Sequence, residues 1–323
     1  MQKGFIMQSD LLSIIIPDRN GQPYLSKTID DILAKAGGNI EIIVVMDGVW
    51  ADPPLKYDKR VKIIHHGTVH NNLGMRESIN RGIAISKGKY IMKCDEHVMF
   101  DKDFDLKLKI DCEENWVVIP RRYRLDPDNW KIQEDGRAPV DYMFIAYPYE
   151  RPYDETCGMH GDWDRQRAID RKDILIDDVM TGQGSCYFMH RSFWDRVIKR
   201  MDSDLYGTFT QEAQEITMKA WLSGGRVVVN KKTWYAHMHK GKRGKGYGFS
   251  NAQYAAHQAD KEKGRLACID YWLNNRWPGA VFDFEWLLKK FWPIPTWPEN
   301  WKERIEVDKL KDFSTLKHES ISK

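Results

Sequence analysis

Asp95 and His97 stand two residues apart in the segment Cys94-Asp95-Glu96-His97. In extended backbone such neighbours point to the same side, so a carboxylate and an imidazole face the same space. That donor pair suits Mn²⁺ or a similar borderline metal better than Ca²⁺, with Mg²⁺ as the alternative cation expected. A strand-terminal Asp that caps a turn spells the same letters, so the pair gains weight only from its surroundings. Glu212, in Thr210-Gln211-Glu212, opens a predicted helix. A carboxylate there is a general-base candidate for an acceptor hydroxyl, or a partner of the helix dipole. Residues 240–250 (KGKRGKGYGFS) set Lys240, Lys242, Arg243 and Lys245 among glycines. The expectation is a flexible basic lid closing over a diphosphate, a plain solvated loop being the alternative.

The elements that must position these groups alternate. LLSIIIP (11–17) and IEIIVVM (40–46) are short continuous apolar runs, the mark of strands buried on both faces. A helix is predicted over 24–36, ended by Gly37-Gly38, and another over 73–86. Shorter strands are expected at 61–65 and 89–94, the last running into Asp95. Strands alternating with helices imply an α/β fold with a mostly parallel, Rossmann-like sheet. Such sheets bind ligands at the carboxyl ends of their strands, where both Asp47 and Asp95 fall. Farther on, 117–150 supplies strand-like pieces for a mixed extension, and 151–180 reads as a long loop region. Strands at 185–189 and 226–229 and helices at 192–200 and 211–222 complete the core. The expected division is a catalytic domain over 1–240, the lid at 241–250, and a helical, Trp/Pro-rich extension over 251–323.

Composition bounds the function classes. The 323 residues are 42% hydrophobic and 30% charged, ordinary for a globular chain, and the net charge of +3 is too small to indicate a nucleic-acid binder by itself. No apolar run approaches the roughly 18 residues of a membrane span, and no signal-peptide pattern opens the chain. The cysteines are scattered with no CxxC pair, so reduced thiols and a cytoplasmic location are expected.

The run Asn72-Leu73-Gly74, Asn80-Arg81-Gly82, Gly88-Lys89-Tyr90-Ile91 and Asp95-Glu96-His97 resembles the family 2 glycosyltransferase pattern NxGxxxxxNxGxxxxxGxYIxxxDxD, with His97 for the last Asp. The opening SIIIPDRNGQPYLSKTIDDIL and IEIIVVMDG resembles that family's first strand–helix–strand unit. The DxH form is similar to that of polypeptide N-acetylgalactosaminyltransferases. FTQEAQEITMKAWLSGG (209–225), MTGQGSCYFM (180–189) and WYAHMHK (234–240) match further blocks of those enzymes, although Gln211 replaces a glycine. The resemblance covers about residues 11–240 and implies the GT-A fold. It implies a nucleotide-sugar donor, a UDP-sugar, with Asp47 contacting uracil or ribose and Asp95 and His97 contacting ribose and metal. His237 is the expected third metal ligand, with His239 as alternate. Pro17, Asn72 and Arg76 are expected along the donor with Asp47, Asp95, Lys242 and Arg243.

Stereochemistry stays open, because family 2 members invert and the N-acetylgalactosaminyl enzymes retain; inversion, with Glu212 as base, is the expectation. The expected acceptor is either a bacterial saccharide or a hydroxymethylated pyrimidine in phage-type DNA. For the latter, Arg121, Arg122 and Arg124, a second patch at 165–172, and the tail aromatics Trp292 and Trp297 are the supporting features. No lectin-like domain or secretory anchor is expected, which disfavours a Golgi mucin enzyme. A sugar-nucleotide-forming nucleotidyltransferase would need a Gly-rich phosphate loop after the first strand, which Pro17-Asp18-Arg19-Asn20-Gly21 lacks. A non-catalytic binding module would be expected to lack one of Asp95, His97, His237 or Glu212.

Overall fold

The computed structural model describes residues 8–19, 24–68, 70–149, 158–239 and 251–310. The first half of the sheet is the expected alternation: β1 (Gln8–Asp18), α1 (Tyr24–Lys35), β2 (Ile40–Asp47), β3 (Val61–His66), α2 (Met75–Ile85) and β4 (Gly88–Cys94). A turn carrying Asp95, Glu96 and His97 leads into β5 (Val98–Phe100), then α3 (Phe104–Asp111), β6 (Trp116–Asp126) and β7 (Lys131–Ile132). The segment read as loop holds short elements: β8 (Met143–Ile145), β9 (Gly161–Trp163), α4 (Arg165–Asp170) and β10 (Ile176–Asp178). β11 (Cys186–His190) runs into the single turn α5 (Arg191–Phe193), which continues as a π-turn over Trp194–Ile198. Then come α6 (Ser203–Tyr206), α7 (Glu212–Leu222), β12 (Arg226–His237), α8 (Asn251–Leu273), α9 (Phe284–Phe291) and α10 (Trp301–Asp308).

The strand order is β10-β12-β6-β11-β4-β1-β2-β3. β3, β2, β1 and β4 are parallel, β11 runs antiparallel between β4 and β6, and β6 and β12 are parallel. Alternation along β1 and β2 divides their apolar runs between two cores. Leu12, Ile14, Ile42 and Val44 face α1 and α3, with Leu25, Ile29, Phe104 and Leu108. Ile15, Ile43 and Val45 face the opposite layer with Ile79, Ile83, Ile216 and Trp221. Burial on both faces explains why neither strand shows polar alternation.

β12 is far longer than the expected 226–229. Its first part pairs with Trp116–Pro120 of β6; after an irregularity between Asn230 and Trp234 it resumes against Arg121–Arg124. The outer part also pairs antiparallel with β5, setting Tyr235 opposite Phe100 and His237 opposite Val98. A register irregularity re-aims a strand, and here it brings His237 beside the turn that holds His97.

The extension after 250 shares the larger core rather than standing apart from it. Cys268, Ile269, Trp272, Phe284, Leu287, Phe291 and Trp297 are buried in one cluster with Ile216 and Trp221. Trp297 is 6% exposed and donates its indole N–H to Ile145 O at 2.7 Å. α8 lies directly on α6: a Cβ on Gly264 would stand 2.1 Å from the Tyr206 carbonyl oxygen.

That contact generates the first prediction. In a solvated helix Gly→Ala stabilises by about 1 kcal/mol. Here the backbone clash should prevail, and Gly264→Ala should destabilise by about 1–3 kcal/mol, as overpacking does. Thermal melting is the check; an unchanged or higher midpoint would mean that α8 is free to shift away.

Candidate active site

The Asp95–His97 turn is pinned from three directions. Asp95 N donates to Ser185 O at 3.0 Å, and Met238 N donates to His97 O at 3.1 Å. From α1, the Thr28 hydroxyl lies 2.9 Å from Glu96 O and accepts Val98 N–H at 3.1 Å. Three side-chain atoms then converge. His237 Nε2 lies 3.1 Å from Asp95 Oδ2 and 3.0 Å from His97 Nε2, with 3.9 Å between His97 Nε2 and Asp95 Oδ2. This is the group of His, Cys, Asp and Glu able to hold a metal ion among the described residues. Two ligands at right angles on a cation, each about 2.1 Å away, stand about 3.0 Å apart, so the two short edges fit a small divalent ion. His239 lies beyond the end of β12 and is exposed.

Electrostatics suit that donor set. Burial pushes the His237 imidazolium down to about 3, so the ring is neutral, as a metal ligand must be. Burial would raise the Asp95 carboxyl, but the Lys93 ammonium and His237 hold it well below the usual range, so it is ionised. Glu96 Oε1 lies 3.1 Å from His97 Nδ1, an ion-pair contact outside hydrogen-bond geometry.

Lys93 is the functional side chain that sequence reading missed. It sits on β4 in phase with Asp95 and is fully buried. Its Nζ donates to Asp95 Oδ1 at 2.6 Å, to Gly184 O at 2.6 Å and to Glu212 Oε2 at 3.2 Å. Burial would strip its proton, but Asp95 and Glu212 more than offset that and hold the ammonium above the ordinary lysine range. The available signal was a lone cation inside the apolar run Tyr90-Ile91-Met92-Lys93-Cys94. Glu212 opens α7 as expected and is 4% exposed. Burial raises its carboxyl above the ordinary value although Lys93 works against this, and its Oε1 has no hydrogen-bond partner among the described residues. Gly184 is required for this approach, since a Cβ there would lie 2.7 Å from Glu212 Oε2.

Other residues expected on the donor are placed differently. Asp47 is buried, with Oδ1 accepting Leu73 N at 2.8 Å and Oδ2 accepting Gly74 N at 2.6 Å. Its carboxylate anchors the loop before α2 instead of facing solvent. Asn72 donates to Asp47 O at 2.6 Å and accepts from Arg19 Nη2 at 3.3 Å, closing the same loop. Arg76 is 0% exposed and is held by Glu215, by Thr210 O and over the Tyr206 ring. It clamps the start of α7 and reaches no surface. Pro17 is buried in β1 opposite Val45. Lys242 and Arg243, with the whole 240–250 lid, lie outside the described residues.

The features expected to bind DNA are largely spent internally. Arg121 makes a two-pronged pair with Asp141 at 2.8 and 2.6 Å, Arg124 pairs with Asp135, and Arg171 with Asp177. Arg122 is 2% exposed. Buried Trp297 cannot stack on a base, whereas Trp292 is 40% exposed. No helix of the described residues is long and apolar enough to cross a membrane.

Comparison with known proteins follows the same lines. A family model described as Glycosyl transferase family 2 matches residues 13–195. The chain is 32% identical over 221 residues to the uncharacterized glycosyltransferase EpsJ of Bacillus subtilis (strain 168), covering 61% of this chain and 60% of EpsJ. It is 23% identical over 236 residues to TuaG of the same organism, a putative teichuronic acid biosynthesis glycosyltransferase, covering 70% of this chain and 87% of TuaG. The chain thus spans less than two thirds of EpsJ's length. Among solved structures, GalNAc-T7 with UDP, GalNAc and Mn²⁺ superposes with a TM-score of 0.55 at 16% identity, over 96% of this chain and 57% of that one. That likeness is one of fold.

The buried ammonium generates the second prediction. Lys93→Met strands two carboxylates and should destabilise by about 3–5 kcal/mol. Adding Glu212→Gln should recover part of that loss, because the two sites share one charge network. Urea unfolding of the four proteins in the cycle is the measurement, and simple additivity would remove the proposed coupling.

Proposed function

The chain belongs to glycosyl transferase family 2, and on that premise we propose that it moves a sugar from a UDP-sugar to a hydroxyl of a saccharide, with Mn²⁺ or Mg²⁺ held by Asp95, His97 and His237. The observation that carries this reading is the convergence of Asp95 Oδ2, His97 Nε2 and His237 Nε2, at 3.0 to 3.1 Å along two edges. A divalent cation held there would neutralise the charge that grows on a departing diphosphate. The fold neighbour crystallised with UDP, GalNAc and Mn²⁺ supports the donor and metal classes.

The chain's own residues supply the rest. Lys93 fixes Asp95 in one rotamer by occupying Oδ1, which leaves Oδ2 for the site. Glu212 is the general base of an inverting transfer: burial raises its carboxyl above the ordinary value, which strengthens it as a proton acceptor, and Oε1 is the oxygen assigned to the acceptor proton. Lys93 holds the other oxygen, so the acid–base group and the metal corner keep a fixed separation. Two observations support the saccharide acceptor: TuaG is named for teichuronic acid biosynthesis, and pairing within the protein spends Arg121, Arg124 and Arg171. The lid role of Lys242 and Arg243 over the diphosphate remains part of this reading.

Asp95→Asn or His97→Ala should abolish transfer from UDP-sugars and the Mn²⁺-dependent part of UDP binding, while circular dichroism stays unchanged. Full activity in excess chelator would exclude the metal. The acceptor class is tested by salt: a DNA-modifying enzyme would bind duplex DNA at low salt and lose that binding between about 50 and 200 mM. The saccharide reading expects negligible duplex affinity even at about 50 mM and transfer to glycan acceptors; salt-sensitive DNA binding with transfer to hydroxymethylated DNA would overturn it.

A further inference from the structure

Arg191 meets β4 at the end opposite to Asp95. β11 delivers it there, running antiparallel to β4 from Cys186 beside Cys94 to His190 beside Tyr90. The residue is 8% exposed, with Nε donating to Gly88 O at 2.7 Å and Nη2 to the Ser86 hydroxyl. These bonds close the turn between α2 and β4 and use two of the three guanidinium nitrogens. Nη1 has no hydrogen-bond partner among the described residues, and it is not sealed from solvent. The side chain lines a cavity of about 470 Å³ together with Asn80, Lys87, Trp194 and Lys199. Arg200 completes a set of four cations around it, against one acid, Asp195.

Closing the turn does not require so much positive charge. The carboxyl end of α2 carries about half an elementary negative charge, which one cation answers. Lys87 and Lys199 are exposed with no ion-pair partner among the described residues, and Arg200 has a 3.7 Å surface pair with Asp204. Like charges gathered around a hollow repel one another, and an anion inside relieves that repulsion. The planar fork of Arg191 suits the oxygens of a phosphate or carboxylate.

A bare phosphate would leave most of this cavity empty, so the ligand has an organic body. A second cavity of about 300 Å³ shares Lys199 and Arg200 as lining and adds Arg196, Tyr271 and Trp277. Lys199 takes a φ of 61° as its N–H closes a turn onto Trp194 O at 2.6 Å, and it stands between the two cavities. Half-buried aromatic rings beside cations suit a sugar, whose apolar face packs on a ring while its charged substituent reaches a cation.

We propose that the two cavities form a second ligand site for an acidic saccharide, with its phosphate or carboxylate against Arg191 and a sugar ring toward Tyr271 and Trp277. This site is separate from the Asp95–His97–His237 corner, because Gly88–Cys94 of β4 lies between them, roughly 20 Å at about 3.3 Å per residue. It requires neither a metal ion nor a nucleotide, so it stands or falls independently of the donor reading.

The test is calorimetric titration of glucose 6-phosphate, glucuronate, glucose and inorganic phosphate into the full chain without added metal. Wild type is compared with Arg191→Gln, with Lys87→Glu combined with Lys199→Glu, and with Asp95→Asn. At least one acidic sugar should bind wild type more tightly than glucose or phosphate does, and the tighter of the two identifies the anionic group. Its affinity should fall about 10-fold or more in the first two variants, as for loss of a charge-assisted hydrogen bond, and stay unchanged in Asp95→Asn. Circular dichroism and melting establish folding; if Arg191→Gln fails to fold, the exposed pair Lys87 and Lys199 carries the test. A wild-type chain that binds no acidic sugar, or binds glucose or phosphate as tightly, would overturn the proposal. So would undiminished affinity in the folded Lys87 and Lys199 double variant, or a loss in Asp95→Asn, which would place the ligand at the other end of β4.

Discussion

A single ammonium group at the centre of the sheet organises the site. Lys93 is buried on β4 and cannot reach water, so its charge must be met by the protein. The three acceptors around it come from separate parts of the chain: the Asp95 turn, the Gly184 carbonyl before β11, and Glu212 at the start of α7. Each depends on the others. Without the ammonium, Asp95 and Glu212 would be two carboxylates buried near each other, and one would take up a proton. With it, Asp95 remains ionised while Glu212 stays raised, and two neighbouring carboxylates acquire different chemistry.

The Asp95–His97–His237 corner depends in turn on strand register. β5 begins one residue after His97, and its antiparallel pairing with β12 sets Val98 opposite His237. A slip of one residue would send the His237 side chain to the other face of the sheet. The irregularity between Asn230 and Trp234 makes this register possible, because the inner part of β12 is already tied to β6. Packing at the Arg76–Glu215 pair and the Asp47 clamp then holds α2, α7 and the loop before α2 in place. These buried pairs contribute shape to the site.

Much of the architecture was legible because burial leaves a pattern. The continuous apolar runs of β1 and β2 and the strand leading into Asp95 could be read directly, and His97 and His237 stood out as imidazoles at strand ends. β12 was read too short because Lys231 and Lys232 interrupt its apolar pattern, yet Lys231 is buried with its ammonium on Arg171 O. Lys93 escaped notice for a related reason: one charged letter in an apolar strand says nothing about three acceptors that meet it only in the fold. Asp47 and Arg76 show the converse. A carboxylate at a strand end and an arginine in a motif look alike in sequence whether they face a ligand or close a backbone loop. Only the Leu73 and Gly74 N–H groups on Asp47, and Glu215 against Arg76, separate the two cases.

The charge balance at the corner ties these features to function. One ionised carboxylate, Asp95, faces the cation position directly, and half of it is already engaged by Lys93. Arg122 adds a further buried positive charge 3.1 Å from His237. Two imidazoles and one shared carboxylate are the side chains that converge there. In the proposed metal-dependent transfer, a nucleotide diphosphate would bring the anionic charge that this corner lacks. A stronger cage of several free carboxylates would hold the cation regardless of substrate and would repel the diphosphate. On that reading, sharing Asp95 with a lysine leaves the donor's own charge to complete the corner.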